Sequence, residues 1–191
     1  MGIPRPWRSI IDWVFTIVGA IAIVLAIKAW VVNPYRIPSS SMEPTLHCAR
    51  PADGCLSRFS DRVLANRLIY RFRDPKRGEI IVFNVPDVAR ARCGASGVFV
   101  KRIIGLPGEL LEERRGYVYI NGKRLNERYL RPEQRDFTNF HPVKIALGHY
   151  FMMGDNRASS CDSRRWGTVP RAGVIGKVFA IYWPPNRIGF P

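Results

Sequence analysis

Zinc chemistry has little to draw on in this chain of 191 residues, which holds three histidines and four cysteines. No Cys-X-X-Cys pair occurs, and His47, His141 and His149 lack the spacing of a ligand set, so no metal or other cofactor is expected. Acidic residues are scarce too: fifteen stand against thirty Lys and Arg, a formal net charge of +15. Such a surface suits anionic lipid or nucleic acid. No nucleic-acid reading motif occurs, however, and the basic residues are scattered instead of gathered on one recognition helix. Anionic lipid is therefore the expected surface partner, and nucleic acid is not. Internal repeats and low-complexity tracts are absent as well, which excludes solenoids and arrays.

What the chain does have is one long apolar run. Residues 10–32 carry only Asp12, Thr16 and Lys28 as charged or hydroxyl side chains, and Gly19 is their single strong helix weakener. As a helix they span roughly 34 Å, enough to cross a hydrocarbon layer of ~30 Å. Trp7, Trp13 and Trp30 fall near the ends, where indole rings favour the interface, and Lys28 can reach outward to head groups. Arg5 and Arg8 precede the run, so the positive-inside rule puts residues 1–9 in the cytoplasm and residues 33–191 outside, against the weaker vote of Lys28 and Arg36. A cleavable leader is the competing reading. Ala20-Ile21-Ala22 resembles a cleavage site, yet five more apolar residues follow it, whereas a cleavage site follows the apolar stretch.

Cysteine usage fits an outside location. Cys48 and Cys55 flank a segment with Pro51 and Asp53-Gly54, whose turn chemistry can bring the two sulfurs together, leaving Cys93 and Cys161 to pair across the fold. Four cysteines allow three connectivities, and four buried free thiols are a further alternative.

Beyond the run, about 160 residues are enough for one domain with its own core. Apolar stretches at 79–83, 99–104, 117–120, 150–153 and 174–183, separated by Gly, Pro, Asn and Asp, read as strands. Asn121-Gly122 between Ile120 and Lys123 supplies the two positive φ angles of a type I′ hairpin turn. The expected fold is mainly β, antiparallel sheets behind one transmembrane helix, with a small hairpin and loop insertion around residues 110–142. Residues 87–97 and 127–141 read as exposed loops.

Within this frame three segments carry chemistry. Lys101 sits in Val98-Phe99-Val100-Lys101-Arg102-Ile103-Ile104-Gly105, where strand alternation gives it Phe99 and Ile103 as neighbours on one face. Burial among apolar side chains lowers a lysine pKa and can make the amine a base near neutral pH. A lysine snorkelling from a sheet edge is the plainer alternative. Upstream, Ser39-Ser40-Ser41-Met42-Glu43-Pro44 offers hydroxyls to deprotonate. Downstream, Gly154-Asp155-Asn156-Arg157-Ala158-Ser159-Ser160-Cys161-Asp162-Ser163-Arg164 is a polar loop able to hold a geometry through its own hydrogen bonds.

In this order, and with Arg77-Gly78-Glu79-Ile80-Ile81-Val82-Phe83 between the first two, these segments resemble the bacterial type I signal peptidases from about Ile37 to Trp183. Those are membrane-bound Ser/Lys endopeptidases that remove leader sequences from exported preproteins. The resemblance implies Ser41 as nucleophile, Lys101 as general base, and an oxyanion hole formed by Ser39 and the Ser41 backbone N–H. It further implies that Ser160 orients the lysine, that Asp162 and Arg164 support the site, and that Ile37, Pro38, Leu46, Phe99 and Val100 form apolar pockets for an Ala-X-Ala sequence. An extended substrate is expected to lie as a strand beside residues 99–101. The chain departs from the usual pattern at Glu109, Ser40, Ala158 and Ser159, none of which is a proposed catalytic group.

Two rivals remain in the sequence. Ser41, His149 and Asp155 would suit a Ser-His-Asp hydrolase, and a membrane-anchored β domain would bind extended peptides without cutting them.

Overall fold

The computed structural model describes residues 5–94 and 97–191. Helix α1 runs Arg5–Trp30. Its Ser9–Ala26 stretch is long and apolar enough to cross a bilayer, and none of it is buried against the chain. Trp7, Trp13 and Phe15 are accordingly exposed. The helix ends at Trp30, two residues before the expected boundary, because Val32 already belongs to strand β1 (Val32–Arg36). Pro34 within that strand disfavours helical geometry just before it. Residues 1–4, and the side chains of Arg5, Arg8, Lys28 and Trp30 invoked for topology, lie outside the described residues.

The remaining elements are β2 (Arg62–Asn66), α2 (Ile69–Phe72), β3 (Ile80–Asn84), α3 (Asp87–Cys93), β4 (Val98–Gly105), β5 (Leu110–Arg114), β6 (Tyr117–Ile120), β7 (Lys123–Arg124), β8 (Phe140–Lys144), β9 (His149–Met153), α4 (Ser163–Trp166), β10 (Val169–Pro170) and β11 (Val174–Trp183). A seven-stranded sheet has the order β1-β2-β11-β3-β4-β9-β10, and a four-stranded sheet has the order β7-β6-β5-β8. Every strand pair in both sheets is antiparallel.

Strand β3 reads Ile-Ile-Val-Phe-Asn without alternation because both of its faces are covered. Ile80 and Val82 pack with Ile37, Met42, Leu46 and Val178, while Ile81 and Phe83 pack with Ile103, Met152 and Trp166. A third cluster, including Ile104, Leu111, Val118, Phe151 and Met153, joins the two sheets. The segment expected as a hairpin insertion is thus a sheet of its own. Its β6–β7 turn has φ of 51° at Asn121 and 78° at Gly122, the left-handed pair the sequence calls for.

One expected loop is a helix. Residues 87–93 form α3, seven residues with Asp87 in the first turn, Arg90 and Arg92 in the last, and Gly94 in a left-handed cap. Only Ala89 of this helix is fully buried, so no apolar stripe announced it. Residues 95–96 of that expected loop lie outside the described residues.

Candidate active site

Ser41 is held in a short turn between β1 and β2. Ser39 is extended (φ −131°, ψ 157°), and Ser40–Met42 form one 3-10 turn closed by the Glu43 N–H donating to the Ser40 carbonyl at 3.0 Å. Met42 and Leu46 anchor the turn in the core. The buried Glu43 carboxylate accepts from the N–H groups of Cys48 (3.0 Å) and Leu56 (3.2 Å) and contacts His47 Nδ1. From the other side Asn156 grips the turn twice, its N–H on the Ser41 carbonyl at 3.1 Å and its Nδ2 on the Ser40 carbonyl at 3.2 Å. Nothing in the sequence assigned Asn156 this part, since an Asp-Asn pair reads only as turn chemistry.

Strand β4 delivers Lys101. Ile81 of β3 lies opposite it, and β9 pairs with β4 only from Arg102 onward. The side chain is 4% exposed, and its Nζ donates to Ser41 Oγ, itself on a residue 7% exposed. Nζ also stands 5.4 Å from the Phe99 ring centroid, on the face that alternation predicts. Burial pushes the Lys101 pKa down to about 8. The carboxylates of Asp162 and Asp155 hold it up against that fall, and Arg164 adds to it. Ser39 Oγ lies 3.2 Å from Ser41 Oγ, on the same side of the turn.

The polar loop at 154–164 closes the site from behind. Asp155 is bidentate with Arg102 (2.8 and 2.6 Å) and accepts from Thr45 Oγ1 at 2.6 Å, tying the loop to β4 and to the segment after Ser41. Asp162 caps α4. It accepts from the Gly154 N–H (3.1 Å) and from Arg164 Nε and Nη2 (2.9 Å each). Burial alone would raise the Asp162 pKa, but these hydrogen bonds and the Arg164 charge hold it below the usual range. Arg164 continues to Asp136 and Glu113 of the second sheet region, and the fully buried Arg157 pairs with Glu127. Burial pushes Glu113 up, with Arg164 and Arg157 opposing. Sequence reasoning named Arg157 within the polar loop without a role and left out Glu113 and Glu127, because a lone charged residue reads as solvated.

Ser160, expected beside the lysine, is buried, and its Oγ has no hydrogen-bond partner among the described residues. It packs on Gly154, where a Cβ would overlap both Ser160 Oγ and the Ser41 carbonyl oxygen.

A cleft of ≈ 470 Å³ opens above this group. Ile37, Pro38, Phe99 and Val100 line it with Tyr35, Arg36, Met42 and Val98, and Ser39, Ser41 and Lys101 form its polar end. Leu46 does not line it. That side chain is 0% exposed and packs beneath the turn, because its N–H follows the chain back to the Met42 carbonyl and turns the residue into the core. Cys93 and Cys161 stand in the cleft wall as a disulfide with Cα atoms 6.2 Å apart, and Cys48 and Cys55 form a second at 5.1 Å. The first closes a loop with a sequence separation of 68 and ties α3 to the residue after Ser160. Replacing Cys93 and Cys161 together by serine is expected to cost about 2–4 kcal/mol of stability and to reduce turnover, read by denaturant unfolding and peptide kinetics. Unchanged stability and activity would show the bridge to be dispensable to the site.

No histidine bonds to Ser41 among the described residues. His149 Nδ1 contacts the Leu147 carbonyl and His47 contacts Glu43, while the Asp155 carboxylate is occupied by Arg102 and Thr45. A Ser41-His149-Asp155 triad is therefore not assembled. No group of three or more His, Cys, Asp or Glu suited to a metal ion stands together among the described residues.

The profile of one protein family, described as "Signal peptidase, peptidase S26", matches residues 10–183. A protein from Synechocystis sp. named "Probable signal peptidase I-2" is 41% identical over 91% of this chain and 73% of its own. "Signal peptidase I" of Leptolyngbya laminosa is 34% identical over 97% of this chain and 86% of its own. "Signal peptidase I P" of Bacillus subtilis subsp. natto is 32% identical over 96% and 95%. With a match across nearly its whole length and with its buried Ser41–Lys101 contact at the end of an apolar cleft, the chain belongs to the signal peptidase family, peptidase S26.

Proposed function

We propose that this membrane-anchored serine-type signal peptidase works through a Ser41/Lys101 dyad and cuts preproteins after small residues of the Ala-X-Ala type. The contact between Lys101 Nζ and Ser41 Oγ, buried at the polar end of the cleft, carries the reading. A neutral Lys101 amine takes the Ser41 hydroxyl proton as Oγ attacks the scissile carbonyl. The oxyanion that forms accepts from the Ser41 N–H and the Ser39 hydroxyl. The Lys101 ammonium then gives its proton to the leaving amine, which frees the mature N-terminus. Water, deprotonated by the same amine, hydrolyses the acyl ester and regenerates Ser41.

Ser160 belongs to this scheme as an orienting hydroxyl. Its buried Oγ has unspent hydrogen-bond capacity, which supports this role. Asp162 and Arg164 are positioning residues, fixing the loop and the local field at Lys101. Ile37, Pro38, Phe99 and Val100 make the substrate cleft, whose apolar walls reject large side chains by overlap. The unpaired edge of β4 before Arg102 supports addition of the substrate as a strand.

Residues 1–9 are assigned to the cytoplasm, 10–32 to the membrane and 33–191 to the outer side, where the two disulfides suit an oxidising compartment. Ser41 comes eight residues after Asn33, so even an extended connection keeps it within ~26–29 Å of the helix end. An exported preprotein presents its cleavage site at that height, and the basic surface favours anionic lipid there.

The test is a preprotein bearing Ala-X-Ala in detergent or liposomes, with the new N-terminus sequenced. Wild type is expected to cut after the second alanine and Ser41→Ala to leave the preprotein intact. Binding without cleavage by folded wild type would favour a peptide-binding domain instead.

A further inference from the structure

We propose that Arg36 is a specificity-determining residue, whose guanidinium reads the charge of the substrate four to five residues before the scissile bond, favouring a carboxylate and rejecting a cation. The inference rests on the signal peptidase reading of the cleft. Among the fourteen residues lining that cleft the charged ones are Arg36 and Lys101, and none is acidic. Lys101 is buried and engaged with Ser41, and its catalytic form is neutral. Arg36 is therefore the lining residue that brings a standing charge to the cleft, from the exposed side of β1.

No acidic side chain among the described residues pairs with it. Arg36 is exposed, and its guanidinium has no hydrogen bond or ion pair among the described residues. In the β1–β2 register it lies opposite Arg62, whose guanidinium stands 6.0 Å over the Trp183 ring. Like charges at directly opposed strand positions are unfavourable, so this pair presents an unmet demand for a negative group. The adjacent Asp61 is already committed to Arg187 and the His47 N–H.

Its position along the substrate follows from chain geometry. Ser39 and Ser41 mark the point of attack, and the segment back to Tyr35 lines the cleft with Ser39 itself extended. A peptide lying alongside advances by about the same ~3.3 Å per residue. Arg36 is three residues from Ser39, which sets its level near the fourth residue before the cut, and the long side chain extends its reach to the fifth. The part of the substrate before the cut is the part still leading from the membrane, as β1 leads from α1.

The experiment uses full-length enzyme in neutral detergent and, for the fourth and for the fifth residue before the cut, a set of three peptide substrates with Ala-X-Ala held constant that carry Asp, Ala or Lys at that position. For wild type, kcat/KM is expected to be about fivefold higher with Asp than with Lys at one of these positions, the size of two partly exposed charge interactions. Arg36→Gln should bring that ratio close to one, and Arg36→Glu should invert it. A ratio that is the same in wild type and in both variants, while the Ala substrate is cut, overturns the role of Arg36 and leaves the peptidase reading standing. Failure of wild type to cut the Ala substrate overturns both. If the Arg36 variants instead lose activity equally for all three substrates, and only on vesicles containing an anionic phospholipid, the residue serves lipid contact and the proposal is wrong.

Discussion

Lys101→Ala is expected to lower kcat/KM by at least about 10³-fold while the protein stays folded, since a positioned general base contributes about 10²–10⁴ and no histidine or carboxylate bonds to Ser41 Oγ among the described residues. Its melting temperature should hold or rise, because the variant removes an amine whose charged form is costly to bury. Lys101→Arg separates base chemistry from mere positive charge. A guanidinium stays protonated at any working pH, so this variant should be as inactive as the alanine one. Cleavage retained in Lys101→Arg would mean that the residue acts as an electrostatic group and that the base lies elsewhere.

The second large effect is expected at Gly154. Its Cα faces the Ser41 carbonyl and Ser160, and its N–H is held by Asp162, so a methyl group has no free space to enter. Gly154→Ala should push the nucleophile turn away from the loop that holds it through Asn156. A displacement of about 1 Å at a reacting group can cost about 10²-fold in rate, and overpacking at a buried site costs about 1–3 kcal/mol. The drop should appear in kcat more than in KM, because Gly154 meets the Ser41 carbonyl and does not itself line the cleft. A Gly154→Ala enzyme with wild-type kcat would show that the turn is not braced by this contact.

How far these parts were legible in the sequence depends on where their determinants lie. The Asn121-Gly122 hairpin was legible because two adjacent backbone angles demand those residues. Lys101 stood out because an ammonium in an apolar strand violates the local pattern, and the serine run and the 154–164 loop gained meaning from their order with it. Strand β5 was not legible. Its inward residues are Leu111 and Glu113, and the buried glutamate, met by Arg164 and Arg157 from distant chain, breaks the apolar alternation. Strands β1 and β8 each contain a proline, and α3 buries little more than Ala89. Leu46 was misplaced because a hydrophobe near a nucleophile can face a cleft or the core, and only the turn after Met42 decides which. The grip of Asn156 on two backbone carbonyls leaves no trace in side-chain pattern at all.

The same loop ties the second sheet to the chemistry. Glu113, Glu127 and Asp136 hold Arg157 and Arg164, Arg164 holds Asp162, and Asp162 raises the proton affinity of Lys101 against the effect of burial. Glu113 of β5 is thus linked to Lys101 through Arg164 and Asp162, two groups that act on the Lys101 pKa in opposite directions.

The claim that a neutral Lys101 amine activates Ser41 is tested most directly by the pH dependence of kcat/KM for wild type on an Ala-X-Ala peptide. A base must lose its proton to work, so activity is low below the Lys101 pKa and rises through it. The rising limb is expected to have its midpoint near pH 8. A rate that is flat across this range, or a limb centred near 6.5 as for histidine, would contradict it.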